Sequence, residues 1–113
     1  MNSDRRNYAF DDLYSRLWQI VPAAWVVAKS LEPELRTADL EDILVLPADP
    51  EGATIVMRIR TAHYGEVIVR GNASANGDLA LLQPENMESF GNIFDQEVQS
   101  RLASIIASAA VKR

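Results

Sequence analysis

Residues 43–82, ILVLPADPEGATIVMRIRTAHYGEVIVRGNASANGDLALL, contain four short apolar runs separated by three turn signals. The first signal is Asp49-Pro50-Glu51-Gly52. Asp in first place, Pro presetting φ in second and Gly in fourth spell a type I turn. A loop of Pro50, Glu51 and Gly52 sets Asp49 against Ala53, which puts Pro47 opposite Ile55, Val45 opposite Met57 and Ile43 opposite Ile59. The second signal surrounds His63. Aligning Val67 and Val69 with Ile55, Met57 and Ile59 requires a loop of odd length. His63-Tyr64-Gly65 supplies it, with Gly65 taking a left-handed bulge position. The third is Asn76-Gly77, the usual pair for a two-residue type I′ hairpin. It predicts Ala75 against Asp78, Ser74 against Leu79 and Asn72 against Leu81.

Joined in order, these hairpins make a four-stranded antiparallel meander. Side chains alternate between faces along a strand. One face gathers Ile43, Val45, Ile55, Met57, Ile59, Val67, Val69, Ala80 and Leu82, which is the expected core. The other gathers Leu44, Leu46, Val56, Ile68, Leu79 and Leu81 together with Arg58, Arg60, Arg70 and Glu66. A sheet with one wet face normally alternates apolar and polar cleanly, and this one does not. Either a helix covers the second face with the arginine stems packed flat, or that face is a contact surface, because aliphatic residues mixed with arginine are a common interface composition.

Helices flank the strands. In residues 10–29 Phe10, Leu13, Tyr14, Leu17, Ile20, Val21, Ala24 and Ala28 share one side at 100° per residue, with polar residues opposite. Trp18 and Trp25 lie at one edge of that arc, as core residues or as binding anchors. Pro22 falls on the polar side, where it can kink the helix without ending it. Residues 84–111 read as a second helix. Pro84 suits its first turn, and Met87, Phe90, Phe94, Val98, Leu102, Ile105 and Ala109 form its stripe. Gly91 delays it in an alternative reading that starts at Asn92. Ser100, Ser104 and Ser108 make a ridge of small residues that suits close helix approach. The predicted order is α-β-β-β-β-α, an α+β fold.

A chain of 113 residues supports one domain over 1–113, with 1–7 expected to be disordered. Its net charge of −5 is concentrated between Glu32 and Glu51, where Glu32, Glu34, Asp39, Glu41, Asp42, Asp49 and Glu51 outweigh Arg36. That stretch reads as a solvated acidic connector. An acidic protein repels nucleic acid at long range, and the strands bearing Arg58, Arg60 and Arg70 offer no aromatic platform for bases. No apolar run is long enough for a membrane span, and MNSDRRNYAF has no apolar signal core, so a cytoplasmic location is expected. With no cysteine and a single histidine, disulfides and thiolate chemistry are excluded and a zinc site has too few ligands. Asn72-Ala73-Ser74 is turn chemistry.

His63-x-x-Glu66 is therefore the bend between two strands, and the adjacent carboxylates Glu41 and Asp42 face opposite ways. No phosphate loop, dinucleotide fingerprint or nucleophile elbow is present. The sequence predicts no catalytic residue, metal or cofactor. It predicts a small non-catalytic interaction protein of the adaptor, secretion-chaperone or immunity/antitoxin type, binding a protein or a second copy of itself as a homodimer. The partner surface is expected at Leu44, Leu46, Val56, Arg58, Arg60, Ile68 and Arg70. A small-ligand binder or an enzyme without a recognisable motif is the alternative.

Overall fold

The computed structural model describes residues 8–48, 51–82 and 87–111. The expected disorder of 1–7, the helical start at Pro84, and Asp49 and Pro50 of the first turn lie outside these residues. Helix α1 runs from Phe10 to Leu31 and a 3₁₀ turn from Pro33 to Leu35. Strands β1 (Asp39–Pro47), β2 (Ala53–Thr61), β3 (Gly65–Ala73), β4 (Asp78–Leu82) and β5 (Met87–Asn92) follow, then helix α2 (Val98–Val111). The strands form one antiparallel sheet in sequential order. The fold is α+β with a helix towards each end of the chain, as the periodicities predict. The sheet has five strands, not four.

The extra strand replaces the first half of the predicted second helix. Gly91 adopts a φ of 154°, far from helical values, and residues 87–92 pair with β4 across a bulge at Leu79/Ala80. Asn92 then turns the chain: its Oδ1 accepts the Phe94 N–H at 3.0 Å and its carbonyl accepts the Asp95 N–H at 3.0 Å. The helix begins only at Val98. Phe94 is exposed, stacked at 4.4 Å on Tyr8, whereas Val98 and Leu102 of the predicted stripe are buried. Ser100, Ser104 and Ser108 are exposed; the buried small residues of α2 are Ala103, Ala107 and Ala110.

Helix α1 keeps its course through Pro22. Asp11 and Asp12 in its first turn and Lys29 in its last complement the helix dipole. It buries Leu13, Leu17, Ile20, Val21, Ala24, Trp25 and Ala28. These residues join Val98, Leu102, Ala103, Ile106, Ala107 and Ala110 of α2 and Val45, Ile55, Met57, Ile59 and Val69 of the sheet in a single core. Both helices thus lie side by side on the same face of the sheet. Arg16 fastens the layers, its Nε donating to the Ile93 carbonyl at 2.6 Å.

Candidate interaction surface

The register decides which residues lie on the uncovered face. In the first hairpin Pro47 pairs with Ala53, Val45 with Ile55, Leu44 with Val56 and Ile43 with Met57. In the second, Thr61 pairs with Gly65, Ile59 with Val67 and Met57 with Val69. Both registers differ from the sequence reading by two residues. A two-residue slip preserves the faces, so the expected core residues of β1 to β3 do face the helices.

The third hairpin slips by one residue and does exchange faces. Ala73 pairs with Leu79 and Gly71 with Leu81, around a three-residue loop of Ala75, Asn76 and Gly77. Among the described residues only glycines take positive φ, Gly77 at 93° among them. Asn76 therefore cannot occupy the left-handed first position of a type I′ turn. The larger loop is held by the Ser74 hydroxyl, which bonds to Asn76 Oδ1 and accepts the Asp78 N–H at 3.1 Å. From the segment that leads into α2, Asn92 Nδ2 donates to the Asn76 carbonyl at 2.9 Å and the Ile93 N–H to the Gly77 carbonyl at 2.8 Å. Leu79, expected on the second face, is buried in the core.

Beyond the row Asp39–Arg60–Glu66, three more rows of side chains cross β1, β2 and β3 on the uncovered face. They are Asp42–Arg58–Ile68, Leu44–Val56–Arg70 and Leu46–Thr54–Asn72. Neither helix lies over them. Leu44, Leu46 and Ile68 remain 45%, 47% and 47% exposed, and Val56 is half-buried between its neighbours. All seven residues of the predicted surface share this face. Asp42 and Glu41 were missed because the first strand starts at Asp39, four residues earlier than its apolar run suggests. The alternation from Leu44 back to Asp42 carries the signal for Asp42. The bulge between Leu40 and Asp42, which frees Glu41 to reach across, has no sequence mark.

The charges on the face are partly neutralised within the molecule. Arg58 Nε lies 3.2 Å from Glu66 Oε2. Arg60 donates twice to Glu41, Nε to Oε2 at 2.6 Å and Nη2 to Oε1 at 3.1 Å. The Arg60 hydrogen bond holds the Glu41 carboxyl below its ordinary pKa and raises that of the guanidinium. Asp42 and Arg70 have no hydrogen bond or ion pair among the described residues. Three acids of the acidic stretch, Asp39, Glu41 and Asp42, thus lie on an edge strand, whose exposed acids and bulge discourage edge-to-edge pairing.

His63 is exposed at the tip of the second hairpin, in a loop of Ala62, His63 and Tyr64. The Thr61 hydroxyl organises that loop, accepting the Tyr64 N–H at 2.9 Å and donating to the Gly65 carbonyl at 3.0 Å. No group of three His, Asp or Glu side chains converges among the described residues. An apolar cavity of about 30 Å³ lies between Leu17, Met57, Val69, Leu79 and Ile106. That is room for a single water molecule, against the several hundred Å³ of a small-molecule site. On α1, Trp25 is buried beneath the Lys29 ammonium, 5.9 Å from its ring centre. Tyr14 and Trp18 are exposed, their rings 6.2 Å apart. No protein-family model, curated protein or solved structure matches the chain.

Proposed function

We propose that the chain is a non-catalytic protein-interaction module of the cytoplasm, of the adaptor, chaperone or immunity kind, which docks a protein on the open face of β1 to β3. The observation that carries this reading is the exposure of Leu44 and Leu46 on β1 and of Ile68 on β3, bridged by half-buried Val56 on β2, with both helices on the opposite face. An isolated exposed leucine is ordinary; aliphatic residues contiguous across three strands and set among arginines have the composition of a contact surface. The 30 Å³ cavity between the helices and the sheet is itself too small to enclose a small-molecule ligand. No helix among the described residues is long and apolar enough to cross a membrane.

Photo-cross-linking in the producing cells tests the reading. A benzophenone amino acid at Ile68 is expected to give discrete protein adducts, and the same group at Ser108, exposed on α2, to give none. Adducts from position 108 alone, or from neither position, contradict it.

A further inference from the structure

We infer that the occupant of the open face is a second copy of this chain, bound about a two-fold axis lying along the diagonal from Leu44 to Ile68. This rests on the proposal that the face is a docking surface, and it names the partner. The register places four residues at the corners of a rectangle: Asp42 and Leu44 on β1, Ile68 and Arg70 on β3. Ordinary strand spacing and rise make the rectangle roughly 10 Å by 7 Å. Leu44 and Ile68 occupy one diagonal, Asp42 and Arg70 the other.

A face that meets its own copy must be self-complementary: what lies on the axis meets itself, and what lies to one side meets what lies to the other. On this face apolar residues occupy the axis. Leu44 and Ile68 lie on it, with Val56 about 3 Å to one side and Arg58 equally far to the other in the same ideal lattice. Asp42 and Arg70 flank the axis with opposite charge, so Asp42 of each copy meets Arg70 of the other, twice per dimer. They are also the two charges of these rows left without a partner among the described residues. Arg58 lies close to the axis too, but with Glu66 at 3.2 Å it enters the contact neutralised. An unrelated partner does not require this pattern; a two-fold dimer does.

Three strands of nine residues present roughly 400 Å² of flat face per copy. Because this axis crosses the strands of the two copies at about 70°, they overlap over roughly 220 Å², about a quarter of the area of a standard stable interface. The dimer is therefore weak, with dissociation at roughly tens of micromolar. Its exposed ion pairs fix register more than they add affinity.

Charge reversal at the two positions tests the arrangement. Asp42→Lys sets an ammonium against the Arg70 guanidinium in both contacts of a dimer, and Arg70→Glu likewise sets a second acid against Asp42. Each variant alone is expected to associate at least about tenfold more weakly than the natural chain, with an unchanged circular dichroism spectrum. Mixed in equal amounts, the two variants exchange the charges of the pair without losing their attraction in one of the two contacts, and relieve the repulsion that each suffers alone. The mixture is expected to gain mass as a heterodimer. Asp42→Asn and Arg70→Gln, which perturb the fold less, are expected to weaken the dimer several-fold and so read the same contacts should either reversal unfold.

A natural chain that sediments as a monomer at roughly 100 µM, or folded variants that mix without gaining mass, would overturn the two-fold dimer. The position 68 adducts separate this failure from that of the docking surface. A monomeric chain that still cross-links a different protein keeps the surface and loses only the second copy as its occupant.

Discussion

Leu79 stands directly opposite Ala73 across the β3–β4 ladder, and both side chains are buried. The three-residue loop sets this pairing, and its last residue, Gly77, has a φ of 93°. A Cβ at Gly77 would lie 3.0 Å from Asn92 Nδ2 and 3.3 Å from Phe94 Cδ2. Gly77→Val therefore faces both an unfavourable backbone and the segment that leads into α2. The expected loss is about 2–3 kcal/mol in denaturant melts. A loss below about 0.5 kcal/mol, in the range of ordinary surface substitutions, would contradict the loop geometry.

His63 offers the control. Its ring is exposed and its nearest aromatic neighbour is Tyr64 at 6.4 Å. His63→Ala should change stability by less than about 0.5 kcal/mol. Metal-dependent melting, or a loss of several kcal/mol, would show that the imidazole has a role the hairpin tip does not explain.

The two tryptophans should behave in opposite ways. Trp25 is 7% exposed and Trp18 39%. Trp25→Ala opens a core cavity and is expected to cost about 3–5 kcal/mol, whereas Trp18→Ala should cost under about 1 kcal/mol. Acrylamide quenching of the single-tryptophan proteins checks the placement: the chain that retains only Trp18 quenches more strongly. Similar quenching in both would contradict the packing of α1.

How far these features could be read in advance depended on how local their causes are. The span of α1 followed from its 3.6-residue period, extended at its C-terminal end by only two residues. The faces of β1 to β3 followed from alternation and survived two misplaced loops, because each error was an even number of residues. The β3–β4 register did not survive. Asn76-Gly77 ordinarily closes a two-residue turn, but here Asn92 and Ile93, distant in sequence, hold a longer loop open. Strand β5 was hidden for a related reason. Residues 87–92 fit a helical period, and only pairing with β4 and the backbone of Gly91 make them extended. At the surface, Arg58, Arg60 and Arg70 were placed correctly by parity. Which of them are already neutralised depends on a bulge and on side-chain reach, and neither is written in the pattern.

The exposed pair of Glu41 and Arg60 gives a pH dependence of definite sign. Glu41 in the folded chain holds its proton less tightly than the ordinary value of 4.5. Its contribution is therefore present above that value and is lost as pH falls through it towards the lowered one. The melting temperatures of the natural chain and Glu41→Gln should differ at about pH 6 in low salt and converge towards about pH 3. High salt should shrink the gap at any pH, because the pair is open to solvent. A gap that widens on acidification would reverse the assignment.

Val56 sits on the open face, between Leu44 and Arg70, with the core on the other side of the sheet. A carboxylate there enters any apolar contact made by the face without a partner. Sedimentation and circular dichroism of Val56→Asp are therefore the sharpest single measurement. The expected result is a folded chain that melts within a few degrees of the natural one, sediments as a monomer and no longer forms adducts from position 68. An unfolded variant would mean that the face belongs to the interior of the fold. A folded variant with unchanged mass and unchanged adducts would contradict the account, because the contact made at position 68 would not run through Val56.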